Sequence, residues 1–341
     1  MADPQDDAAG SAVDDGAPAG ESKVERAKRL SHALRGTLAE TLASDAPRFG
    51  DDDVVLLKFH GSYQQDDRDV RRARAAAGQD RAWSYMVRVV LPGGAMTAEQ
   101  YLDFDRLAEE RANGTLRITT RQGFQFHGVL KGDLRPAIAA INANVATTIS
   151  ACGDVSRNVM APAAPYENPA HATARRVARE IATALRPASR AYFELWIDGL
   201  QVDPDTLVVR ETSASAPIPA GAAPAAPTPE EPFYGAQYLP RKFKVGLALS
   251  TDNTTDVYAQ DVGLIGVVGD DGTLAGFNVF VGGGLGMTAH KPDTIAALGQ
   301  PLGLVAVEDA VATAQIVAAI FRDHGNRADR RHSRLKYLLA D

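Results

Sequence analysis

Residues Thr115–Val129, TLRITTRQGFQFHGV, decide how the chain is read. Leu116 and Ile118 alternate with Arg117 and Thr119, the period of a strand with one dry face and one polar face. Arg121 and Gln122 follow as a polar turn. Phe124 and Phe126 then alternate with Gln125 and His127, a second short strand whose rings point to a core. The amide and the imidazole are expected on the side of Arg117 and Arg121. Such a set of donors, backed by an apolar face, suits a large, flat polyanion.

Upstream of this stretch, Val24, Ala27, Leu30, Leu34, Leu38 and Leu42 recur at helical spacing and predict one amphipathic helix within residues 21–50, after a disordered tail at 1–20. Val54–Phe59 reads as a buried strand, leading into the polar run His60–Asp69. Ser84–Leu91 reads as another strand and places Arg88 among apolar neighbours, where a cation needs a partner. Thr97 and Gln100 form a capping box for a helix that Gly114 stops, and a helix near Asp133–Asn144 follows the opening strands. The order strand, strand, helix, strand, strand, helix fits a compact α+β unit over residues 51–150.

A second unit spans 151–341. Asn168 with Pro169 caps a helix with the stripe Ala174, Val177, Ile181 and Leu185. Ala191–Ile197 reads as a strand, residues 211–231 as a flexible Ala/Pro insertion, and Val262–Val268 with Thr273–Val281 as a hairpin. Glu308–His324 is a long helix with Val311, Val317, Ile320 and Phe321 inward. Basic residues from Arg330 to Leu339 end the chain with no finishing element.

Composition excludes several classes. A formal charge of −7 argues against a general nucleic-acid binder, so any anion site is a local basic cluster within an acidic protein. The single cysteine, Cys152, rules out an internal disulfide and points to a reducing cytoplasm; no signal peptide or membrane-spanning run is visible. One Cys and seven scattered His do not make a zinc or iron–sulfur site. The run Gly282-Gly283-Gly284 fails the dinucleotide-binding pattern, because its third glycine would fall on Met287. Glycines there would instead let a flat ligand lie on the backbone. Arg88, Arg117, Arg121, Arg157, Lys242 and Lys244 remain, each in or beside a strand-forming context. Lys242 and Lys244 flank Phe243 and so point to one side.

Six motifs, in order, then carry a family resemblance: KFHGSYQQDDRD (58–69), YMVRVVLPGG (85–94), LRITTRQGFQFHG (116–128), CGDVSRNV (152–159), YLPRKFK (238–244) and GFNVFVGGGLG (276–286). Together they resemble the haemoprotein subunit of assimilatory sulfite reductase, NADPH- or ferredoxin-dependent, within the sulfite and nitrite reductase family. The resemblance spans about Val54–Tyr337. It implies a ferredoxin-like half-domain followed by an α/β domain around a mixed sheet, one of the two repeats of that fold. It also implies sirohaem, an iron tetrahydroporphyrin with many carboxylates, bridged to an iron–sulfur cluster. By motif position Arg88, Arg157, Lys242 and Lys244 match residues that hold the substrate oxygens and supply protons. Arg117, Thr119, Arg121, Gln122, Gln125 and His127, with Gly282, Gly283 and Gly284, would hold the cofactor.

The resemblance also implies a flavoprotein reductase subunit or ferredoxin as electron donor. The family's cluster-binding cysteines lie in the second repeat and have no counterpart here, so the chain is expected to be an N-terminal portion that lacks its C-terminal repeat. Reduction of sulfite to sulfide in sulfur assimilation is the leading reading. Nitrite reductase and a non-catalytic tetrapyrrole- or anion-binding module stand beside it.

Overall fold

The strand period around Phe124 is realised in an antiparallel sheet, and the helical periods on either side of it pack on that sheet's dry face. A computed structural model describes residues 21–197, 200–202, 209–211 and 231–340. The expected tail at 1–20, and all of the expected insertion but its two end residues, lie outside the described residues. In chain order come α1 (Lys23–Arg29), α2 (Leu38–Ala43), α3 (Asp51–Phe59), β1 (Ser62–Asp66), α4 (Arg71–Ala76), β2 (Trp83–Arg88), α5 (Ala98–Arg111), β3 (Leu116–Ile118), β4 (Phe124–Val129) and α6 (Lys131–Ala143). These are followed by α7 (Pro169–Ala184), α8 (Arg190–Ile197), β5 (Leu200–Val202), β6 (Val209–Glu211), β7 (Val245–Leu249), β8 (Val262–Val268), β9 (Leu274–Val281), β10 (Gln300–Val305), α9 (Ala310–His324) and α10 (Leu335–Leu338).

The first sheet has the order β1-β2-β4-β3 and is antiparallel throughout. Phe124 and Phe126 face α5, where Phe104 meets their rings at 5.9 and 6.1 Å. Leu134, Ile138 and Ile141 of α6 are buried as their spacing requires. The capping box of Thr97 and Gln100 closes the N-terminus of α5. The second sheet has the order β10-β9-β8-β7 and is mixed, with β7 parallel to β8 and the other pairs antiparallel. The fold is therefore α+β. No helix among the described residues is long and apolar enough to cross a membrane.

A strap, residues 152–161, joins the two sheets. It runs parallel to the segment leading into β7, through the bridges Ser156–Phe243 and Met160–Gly246. Its Asn158 Nδ2 donates to the carbonyls of Leu91 (2.8 Å), Arg121 (2.7 Å) and Gln122 (3.2 Å), and Gly93 N–H donates to Val159 O at 2.8 Å. Cβ at Gly153, where φ is +88°, would lie 2.7 Å from the Phe59 ring, so only glycine admits this approach.

Several sequence expectations are corrected. Val54–Phe59 is helical, within α3, and the first strand comes later, at Ser62–Asp66. Three aspartates in its first turn favour the helix through the dipole, and a short apolar run buried on most sides carries no period to distinguish helix from strand. Ala191–Ile197 is the helix α8 for the same reason. The expected N-terminal helix is broken at His32, Ala33 and Leu34, which take positive φ, and the Leu34 carbonyl there accepts from His60 Nε2 at 2.8 Å. On α9 Phe321 is buried and Val311 and Val317 pack partly buried against the core as expected, but Ile320 is exposed and Ala310, Ala314 and Ala318 are buried instead; these small side chains let α9 lie close against α7.

Asn158 is the joint between the sheets, and its loss strands buried carbonyls. Asn158→Ala is expected to cost about 2–4 kcal/mol in urea unfolding, and Asn158→Asp, which faces acceptors with acceptors, more. A loss below about 0.5 kcal/mol for both would remove the joint from this account.

Candidate anion-binding site

Strand register places the first group of site residues. Arg88 on β2 and Arg117 on β3 both pair with Gln125 on β4, so the three form a row on the face opposite the phenylalanines. His127 follows two residues along β4, on the same side. The Gln125 amide lies 3.0 and 2.6 Å from Nε and Nη2 of Arg88 at one end and 3.1 Å from His127 Nε2 at the other. Arg88 therefore has the partner that its apolar surroundings demand. Tyr63 of β1 sits beside the row, with the Arg88 guanidinium 5.9 Å above its ring and its hydroxyl bonded to Cys152 Sγ.

Arg157 comes from the strap, its Nε fixed on Gly153 O at 2.9 Å. Arg241, Lys242 and Lys244 come from the chain leading into β7, where Phe243 turns inward and stacks on Phe321 at 6.0 Å. Arg88, Arg157, Arg241, Lys242 and Lys244 are all partly exposed, and Arg117 is exposed. Among the described residues, no carboxylate lies within ion-pair distance of Arg88, Arg117, Arg157, Lys242 or Lys244. Three neighbouring cations, by contrast, are paired with acids. Arg330 grips Asp154 at 2.8 and 2.9 Å, Arg334 grips Asp261 at 2.9 and 3.0 Å, and Lys28 bridges Glu25 and Asp154. The unpaired cations lie in a local basic cluster of an acidic protein, an arrangement suited to a multiply charged anion.

The family model described as the nitrite/sulfite reductase ferredoxin-like half domain matches residues 79–144, and the nitrite and sulphite reductase 4Fe-4S domain matches residues 178–341. The chain belongs to the nitrite and sulfite reductase family. A sulfite reductase [ferredoxin] of Synechococcus elongatus is 46% identical over 95% of this chain and 51% of its own length. A sulfite reductase [NADPH] hemoprotein beta-component of Geobacillus kaustophilus is 44% identical over 95% of this chain and 53% of its own length. The chain thus spans about half the length of the curated relatives that it matches. Among solved structures, the Mycobacterium tuberculosis NirA protein shares the fold, with a TM-score of 0.62 at 20% identity over 93% of this chain and 50% of that one.

Other residues that the motifs point to in this family have different work here. Arg121 donates from Nη1 to Asn158 O at 2.9 Å and from Nη2 to Gln260 Oε1. Both ends of the Gln122 amide bond the backbone of Ala161, at 2.7 and 3.1 Å. Thr119 Oγ1 accepts from Gly123 N–H at 3.2 Å within its own turn. These three staple the turn and the sheets, and the Thr119 hydroxyl, an acceptor in its turn, keeps its own proton to donate. Gly282, Gly283 and Gly284 are also accounted for by packing. A Cβ on them would lie 2.4 Å from Leu339, 2.2 Å from Tyr258 O and 3.2 Å from Arg334 respectively, so close packing asks for glycine at Gly282 and Gly283.

Sequence reading missed Tyr63, Arg241, Arg330 and Arg334. The signal was the two lone acids, Asp154 and Asp261, each amid apolar or glycine neighbours, since a buried carboxylate needs a cation. Arg330 and Arg334 lie in the basic C-terminal run, which is docked on the protein. Lys336 donates there to the carbonyls of Gly284 (3.0 Å) and Gly286 (2.8 Å).

Burial holds the Lys242 and Lys244 ammonium groups down to about 8, helped at Lys242 by Arg334, Arg157 and Arg241 and at Lys244 by Arg121, Arg334 and Lys242. Burial pushes the Asp154 carboxyl up, but Lys28 and Arg330 outweigh it and keep it below the usual range. Unfolded lysines hold their protons to about 10.5, so between about pH 8 and 10.5 the unfolded chain binds more protons and stability rises with pH. Anion affinity should fall across the same window as the ammonium groups discharge. Lys244→Met is expected to weaken anion binding while raising the thermal midpoint at pH 7 by about 1–3 °C. A lowered midpoint with unchanged affinity would contradict this assignment.

Proposed function

We propose that this chain supplies the sulfite-binding and sirohaem-carboxylate-binding face of a sulfite reductase. The supporting observation is the set of five cations without carboxylate partners: Arg88, Arg117, Arg157, Lys242 and Lys244. Holding unpaired charges in a partly desolvated cluster is costly, and a bound polyanion offsets that cost. Arg88, Arg157, Lys242 and Lys244 would bind the oxygens of sulfite, and the two lysines would each hold at Nζ a proton that is easily released near neutral pH. Arg117, Gln125 and His127 would bind carboxylates of the macrocycle, to which a guanidinium fork and neutral donors are suited. When bound, sirohaem supplies the redox-active iron. The donors present fit its carboxylates.

They do not fit a four-iron cluster. Cluster ligation uses several thiolates, and the chain has one cysteine, buried and bonded to Tyr63. Among the described residues no group of His, Cys, Asp and Glu forms a metal site. A complementing segment would provide the cluster, and a ferredoxin or a flavoprotein subunit the electrons, in keeping with the names of the relatives.

The test is anaerobic reconstitution of the chain with sirohaem, followed by visible spectroscopy and assay of sulfide from reduced viologen. The expected result is sirohaem binding that Arg117→Ala weakens about tenfold, no turnover by the chain alone, and turnover once a segment with clustered cysteines is supplied. Failure to bind sirohaem would overturn the proposal. Turnover by the chain alone would overturn the half-site.

A further inference from the structure

The Gln125 amide is the one neutral group between two residues that each restrict how it can point. Arg88 carries only donors, so the end of the amide at 3.0 and 2.6 Å from its Nε and Nη2 is the oxygen. The NH2 end then faces His127 Nε2 at 3.1 Å, and that nitrogen must present its lone pair. The proton of a neutral His127 therefore sits on Nδ1. A doubly protonated imidazole reverses the logic. Its Nε2–H can keep the contact with Gln125 only through the amide oxygen, and turning the amide brings NH2 against the guanidinium and breaks both bonds to Arg88.

We propose that Gln125 is a positioning residue for Arg88, and that the protonation state of His127 selects which of two amide orientations Arg88 meets. The groups facing His127 favour the neutral form as the resting state. Burial is the largest effect, and Arg117 from β3 and Arg88 from β2 add to it, all lowering its pKa below 6.5. Among the described residues no carboxylate lies within ion-pair distance of this imidazole. Protonation of His127 would then withdraw Gln125 from Arg88, so that proton uptake at the imidazole and the anion affinity of Arg88 are opposed through one amide. The consequence for sulfite rests on the function proposed above; the relay itself does not.

The experiment is ¹⁵N NMR of the chain over a pH series, with the Arg88 Nε–H signal assigned by its loss in Arg88→Lys. The expected result is the Nδ1–H tautomer of His127 at pH 7.5. On acidification, the Arg88 Nε–H signal should shift with the midpoint of His127. In Gln125→Leu the imidazole still titrates but the Arg88 signal no longer follows it. In Gln125→Glu, whose carboxylate accepts on both sides, Arg88 stays bonded and the His127 midpoint rises. An Nε2–H tautomer at pH 7.5, or an Arg88 signal that ignores the titration of His127, would overturn the relay. If Gln125→Leu does not fold, the wild-type tautomer and midpoints decide the matter alone. Calorimetry with sulfite is the second arm, with Gln125→Leu binding about tenfold more weakly at pH 7.5. Intact NMR coupling with no change in sulfite affinity would count against the proposed use of Arg88, whereas lost coupling would count only against the relay.

Discussion

Charge that is not neutralised inside the protein is the constraint on which this structure depends. Among the described residues Arg88, Arg117, Arg157, Lys242 and Lys244 have no carboxylate within ion-pair distance, while neighbouring Lys28, Arg330 and Arg334 are each tied to an acid. Leaving a cation half-desolvated raises the free energy of the folded state, and the depressed pKa values of Lys242 and Lys244 are the record of that cost. A fold can sustain this only where its framework is stable enough to hold the groups in place. Here the framework is two sheets, a strap and a docked C-terminal segment.

Two buried acids do much of the holding. Asp261 grips Arg334 and also accepts the backbone N–H of Lys244 at 2.9 Å, which sets the edge from which both site lysines project. Asp154 plays a similar part at the other end of the strap, bonded to Arg330 and close to Lys28 and Arg241. Neither acid faces the anion site directly, yet each fixes backbone or side chains that border it. The arrangement keeps both acids committed elsewhere and so helps leave the face positive in a chain whose total formal charge is −7.

The sequence made the polar row legible because strands alternate: Gln125 and His127 had to lie opposite Phe124 and Phe126, and they do. It made the capped helices legible because Thr97, Gln100 and Asn168 have specific hydrogen-bonding tasks at helix starts. It could not separate Arg88 from Arg121. Both are arginines beside apolar strands, and only the tertiary fold shows that Arg121 lies against Asn158 O and Gln260. Nor could it show that Gly283 admits the carbonyl of Tyr258. Short apolar runs such as Val54–Phe59 were misread because burial on most sides erases the period that tells helix from strand.

The pairing of both ends of the described chain has a consequence for how the protein answers to ionic strength. Glu25 near the start of the described chain binds Arg327 near its end at 2.8 Å, and Lys28 and Arg330 share Asp154. These ions are enclosed, with the carboxylate side chains of Glu25 and Asp154 only 3% exposed, and added salt reaches them poorly. The open cations over the strap are in contact with solvent, and electrolyte screens them readily. One protein therefore carries two populations of charge that salt distinguishes. The set that closes the chain on itself persists in concentrated electrolyte, while the set that attracts anions fades.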